Sequence, residues 1–157
     1  MNTSSTSELT EQIGRWYEDY LAALPGLLTG DLPTLFDYFA VPMLSVSSSG
    51  AVTLRNAAEV VNGYVTMFEA ARESKHRRGV ERGHTIRILN ARAAAISATW
   101  EWHDDDGNTL ATIPYETLLA DSGEGWRIVV ITQLDPELDA TVSPIAMRSP
   151  AVRIDQP

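Results

Sequence analysis

The chain has 157 residues, no cysteine and a formal net charge of −9. That length suits one domain able to bury a core without staples, and the missing thiols exclude disulfides, thiolate metal sites and a thiol nucleophile. The acidity opposes nucleic-acid binding, which needs a basic face.

The first residues, 1–7, are polar and read as a flexible N-terminus without a signal pattern, although Ser5 and Glu8 form a capping-box pair. Leu9, Ile13, Trp16, Tyr17, Tyr20, Leu21 and Leu24 then recur at three- and four-residue spacing, which predicts an amphipathic helix. Pro25-Gly26 is expected to kink or end it. Gly30 closes the region, and Asp31 is expected to cap a short helix carrying Leu32, Leu35, Phe36 and Phe39. Met43–Val46 and Ala51–Leu54 flank a Ser-Ser-Ser-Gly turn and predict a hairpin. Asn56 and Glu59 form a second capping box, opening a helix with Val60, Val61, Tyr64, Val65 and Phe68 on one face.

The basic cluster Arg72–Arg78 falls between elements and reads as a solvated loop, or as a lure for an anionic ligand. From Val80 the apolar period falls to two, predicting strands over 81–90, 93–103, 109–120 and 126–134, with Trp126 in the core. The tail 136–157 is irregular and is expected to fray or fold back as a lid. No apolar run is long enough for a membrane span, so a cytoplasmic protein is expected. His76, His84 and His103 have no ligand spacing, and Asp104-Asp105-Asp106-Gly107 reads as a turn rather than a calcium loop. Helices followed by antiparallel strands predict an α+β domain over residues 8–135.

This order resembles the nuclear transport factor 2-like superfamily. The resemblance rests on Gly30-Asp31-Leu32 opening the second helix, His84-Thr85-Ile86-Arg87-Ile88 followed by Ala93-Ala94-Ala95, and Gly125-Trp126-Arg127-Ile128-Val129 in the last strand. It implies a curved, mostly antiparallel sheet wrapped around three N-terminal helices, forming a cone with an internal pocket. It also implies a small, largely apolar ligand, frequent dimers through the outer sheet face, and no single function, because members include both enzymes and binders.

The decisive question is which face of strand 93–103 enters the cone. One face carries Ser97, Thr99, Glu101 and His103, the other Ala98, Trp100 and Trp102. A two-residue turn at Asp106-Gly107 would set the tryptophans beside Ile113 and Tyr115. A three-residue loop with Gly107 left-handed would set Glu101 and His103 there instead. Similarity to scytalone dehydratase and ketosteroid isomerase favours the polar face inward, with Trp100 and Trp102 outside under a homodimer partner.

On that reading His84, His103 and Glu101 are the catalytic candidates, and Tyr17, Tyr20, Thr99, Ile113, Tyr115, Ile131 and Gln133 line the pocket. Imidazole beside carboxylate suits a general base near neutral pH, and tyrosines suit an oxyanion. The set would serve an isomerase, dehydratase or cyclase acting on a carbonyl or polyol substrate, without metal or organic cofactor. Each residue also has a plain structural use, and the acids of the catalytic relatives are missing, with serines at 45 and 47–49 instead. A non-catalytic binder or accessory dimer therefore stands beside the enzyme.

Overall fold

The computed structural model describes residues 5–28, 31–73 and 78–135. The expected lid 136–157, Gly30, His76, most of the basic loop and the side chain of Phe68 lie outside the described residues. Three helices, α1 (Thr6–Leu28), α2 (Leu32–Tyr38) and α3 (Ala57–Glu73), accompany β1 (Phe39–Ser47), β2 (Gly50–Leu54), β3 (Arg78–Asn90), β4 (Ala93–His103), β5 (Thr109–Asp121) and β6 (Trp126–Gln133). The strands form one six-stranded sheet in the order β2-β1-β6-β5-β4-β3. Only the β1–β6 pairing is parallel, so the sheet is mixed, curved and unclosed, an α+β arrangement.

Local chemistry accounts for most boundaries. At the start of α1 the Glu8 N–H donates to Ser5 Oγ at 3.2 Å and the Ser5 N–H donates to Glu8 Oε2 at 2.7 Å, a reciprocal capping box. Helix therefore begins at Thr6, inside the stretch expected to be flexible. Asn56 accepts the Glu59 N–H at 3.0 Å, and Glu59 reaches back one residue further than expected, to the Arg55 N–H at 2.7 Å. Asp31 departs from its expected role: its carboxylate accepts the Thr34 hydroxyl at 2.7 Å rather than a backbone N–H. α1 runs through Pro25 to Leu28. One lost helical bond is tolerated there because Leu27 beyond it is 2% exposed, and Asp31 N–H closes the end on Gly26 O at 3.0 Å.

Between the helices and one sheet face lies a core in which Ile13, Leu35, Ile96, Leu119 and Ile128 are fully buried. β4 contributes Ala94, Ile96 and Ala98 to it, with Trp100 packed alongside. Alternation places Ala95, Ser97, Thr99, Glu101 and His103 on the opposite face. The expected inward polar face of β4 is thus overturned: the tryptophan face is the inner one.

The physical reason is a bulge. His103 pairs with Thr109 across a five-residue loop, Asp104–Asn108, in which Gly107 is left-handed at φ 81°. Continued unchanged, that register would set odd residues of β4 opposite Ile113 and Tyr115. Instead Trp102 pairs with Ala111, so Leu110 is an extra residue in β5 and the parity flips. Trp100 then faces Ile113, and Ala98 faces Tyr115. Asp104 organises this loop by accepting the N–H groups of Asp106 and Asn108 at 2.9 Å and the Asn108 side-chain amide at 3.1 Å.

Those bonds, the Asn108 side chain foremost, hold the Asp104 carboxyl below its ordinary pKa. A depressed carboxylate stabilises above its unfolded pKa and loses that contribution as pH falls through the folded one. Asp104→Ala should therefore melt lower than the parent at neutral pH, with the gap closing in strong acid. Parallel melting curves across the whole pH range would contradict this account of the loop.

Candidate functional site

The inner wall begins on β3. Here a second bulge, between Glu81 and Gly83, interrupts the pairing with β4: Glu81 lies opposite Trp100, whereas His84 lies opposite Ala98. Strict alternation would put residues 81 and 84 on opposite faces, and the extra residue puts both on the inner one. The carboxylate Oε1 of Glu81 lies 3.2 Å from Nδ1 of His84. Their side chains are 15% and 33% exposed, a position at the rim of the core rather than within it. The Tyr17 ring meets His84 edge-on at 4.6 Å between centroids. With Nδ1 donating to Glu81, His84 keeps Nε2 as an acceptor.

From His84 the aromatic rings continue inward. Tyr17 lies 6.0 Å from Tyr20, Tyr20 lies 6.1 Å from Phe39, and Phe39 lies 5.8 Å from Tyr64. Burial pushes the phenol pKa of Tyr17 upward, reinforced by the Glu81 charge, while a hydrogen bond from the Trp100 indole works the other way. Burial likewise raises Tyr20, aided by Tyr115, and Tyr64, aided by Tyr20; Tyr115 rises through burial alone. All four therefore stay neutral hydroxyls near neutral pH, able to donate and accept hydrogen bonds.

Of the residues singled out in the sequence, His84, Tyr17, Tyr20, Ile113, Tyr115 and Ile131 lie on this inner side. Gln133 pairs with Tyr115 at the exposed end of β6. Three are misplaced. Glu101, His103 and Thr99 lie on the far face, where Glu101 Oε2 bonds Arg82 at 2.6 Å and His103 Nε2 at 3.1 Å. Arg82, then His103, hold the Glu101 carboxyl below its ordinary pKa, so it is a satisfied ion pair. Thr99 borders an open groove of about 350 Å³ that crosses β3–β5, lined also by Gly83, His84, Thr85, Ser97, Ala98, Pro114, Tyr115, Glu116 and Leu134. There Glu116 accepts a hydrogen bond from Ser97 and another from Arg87 at 2.7 Å. With both indoles on the inner face, the dimer expected to cover them outside loses its support.

Glu81, which the sequence reading does not single out, joins this inner side, and Trp100 and Trp102 occupy it as in the alternative strand facing. Trp102 shares the face of Trp100, and both indoles converge on Gly79, where an added Cβ would lie 3.3 Å from Trp102 and 3.5 Å from Trp100. The available signal for Glu81 was Gly83, since a glycine within a strand often marks a bulge.

A family model described as "NTF2-like protein (DUF6841)" matches residues 8–136. No curated protein matches the chain. An NTF2-like protein from Cytophaga hutchinsonii superposes with a TM-score of 0.56 at 19% identity, covering 85% of this chain and 98% of the other. An NTF2-like superfamily protein from Salmonella enterica serovar Typhimurium gives 0.59 at 20% identity, with coverages of 84% and 94%. A protein of cystatin-like fold from Caulobacter vibrioides gives 0.60 at 15% identity, with coverages of 88% and 97%. Likeness at this distance concerns the fold and leaves the chemistry to the residues themselves. Among the described residues, no helix is long and apolar enough to cross a membrane.

Proposed function

This chain belongs to the NTF2-like protein family (DUF6841), and on that premise we propose that it binds a small, largely apolar molecule on the inner side of its sheet, between α1 and β3–β5. The observation that carries the reading is the inner wall itself. Trp100, Tyr17, Tyr20 and Tyr115 supply apolar surface with neutral hydroxyls, and Glu81 with His84 supplies a polar end. Apolar walls with a few convergent polar groups are the usual make-up of a ligand site.

The test is a titration with neutral aromatic and alicyclic compounds, including a neutral fluorescent naphthylamine, followed by amide and indole chemical shifts. Saturable shifts at the Trp100 indole and the Tyr17 and Tyr20 rings, none of which lines the groove beside Thr99, are expected. Shifts confined to Ser97, Thr99 and Glu116 would move the site to that groove and refute the proposal.

The Glu81–His84 pair favours a second reading, a cofactor-independent isomerase or lyase in which His84 takes a proton from carbon beside a carbonyl. Glu81 would orient the imidazole, and Tyr17 would donate to the developing oxyanion. A positioned base contributes about 10²–10⁴-fold. Deuterium uptake at the α-carbon of bound cyclic ketones should then fall by about that factor in His84→Gln and stay unchanged in His103→Gln. Equal uptake in parent and His84→Gln would leave binding as the function.

A further inference from the structure

We propose that the ligand carries an organic ammonium group, seated against Glu81 and flanked by the rings of Trp100, Trp102 and Tyr17. This rests on the inner-wall reading of the preceding subsection and assigns the ligand's charge.

The first observation is a carboxylate whose ion-pair partner, among the described residues, is a histidine. Glu81 is 15% exposed, and its partner His84 is charged only when protonated. A partly buried carboxylate at the rim of an apolar core gains from a permanent cation beside it. The neighbouring arginines of β3 are turned to the other face, where Arg82 holds Glu101 at 2.6 Å and Arg87 holds Glu116 at 2.7 Å.

The second observation is the aromatic flank. Trp100 stands directly across from Glu81, and Trp102 stands across from Gly79. Both indoles close on the α-carbon of Gly79, which has no side chain to come between them. The Tyr17 ring meets His84 edge-on at 4.6 Å, and His84 lies 3.2 Å from Glu81, which brings the phenol ring beside the carboxylate. Indole and phenol rings present negative faces, and a cation held over them beside a carboxylate gains from both. An anion here would meet the same rings and carboxylate with the wrong sign, and the overall charge of −9 also favours cationic ligands.

The experiment compares choline and benzyltrimethylammonium with the neutral alcohol in which tert-butyl replaces trimethylammonium, reading the Trp100 and Trp102 indole resonances of the full chain. Choline should bind about tenfold more tightly than its neutral counterpart. Glu81→Gln should reduce that preference to about one, and Trp102→Ala should lower it, the ratio of the two affinities being the readout for each variant. Should Glu81→Gln fail to fold, the preference in the parent protein decides by itself. Equal binding of the two probes overturns the ammonium proposal and leaves the pocket standing. If neither probe binds, the ammonium proposal falls, and the neutral naphthylamine then shows whether the pocket falls with it.

Discussion

Raised above pH 10, the protein should unfold cooperatively, with phenolate absorbance appearing in the same transition. Tyr17, Tyr20 and Tyr64 all have pKa values raised from 10.0 by burial, so the folded state keeps protons that the unfolded chain releases. Stability is therefore unaffected below the ordinary tyrosine value and falls as pH climbs from there towards the folded values. Each such group removes about 1.4 kcal/mol per pH unit in that window. Three together remove about 4 kcal/mol per unit, against a typical stability of about 5–15 kcal/mol. Tyr20→Phe, which removes one of the three, should push the alkaline midpoint higher. Phenolate from more than the partly exposed Tyr38 appearing near pH 10 with native circular dichroism would mean that the buried rings ionise in place, and the closed aromatic wall would be wrong.

Ile96→Ala should cost about 3 kcal/mol in urea denaturation, while Ser97→Ala, one residue along, should cost about 1 kcal/mol or less. Ile96 is 1% exposed in the core between sheet and helices. Ser97 bonds Glu116 on the outer face, and Glu116 retains Arg87 when the serine hydroxyl is gone. The pair reads the strand's parity directly: a reversed ranking would place Ser97, Thr99, Glu101 and His103 inside and revive the original catalytic set. It would also remove Trp100 and Trp102 from the ammonium site.

Glu101 and His103 illustrate how a candidate site can be half legible. Their alternation on one strand face was readable, and they do hydrogen-bond each other at 3.1 Å. What was not readable was the side of the sheet on which that face lies. Loop type alone suggested the answer, and Gly107 does adopt the left-handed conformation of the polar-inward alternative. One further residue, Leu110, reverses the outcome, and nothing in its identity announces a bulge. Glu81 escaped for the same reason, since period-two counting from His84 sends it outward until the irregularity near Gly83 is included.

The sequence by itself determined the elements whose signals are local. Capping pairs at Ser5–Glu8 and Asn56–Glu59 started two helices, the i, i+4 run Leu9, Ile13, Tyr17 marked the buried helix face, and period-two patterning bounded β4 at residues 93 and 103. The order of those elements also indicated the fold family that the matching family model bears out. Only the tertiary structure decided that β1 runs parallel beside β6, that α1 continues past Pro25, and that Trp100 rather than Glu101 faces the helices. Such outcomes depend on burial summed over partners distant in the chain, and a single inserted residue in one strand inverts the facing of every side chain beyond it.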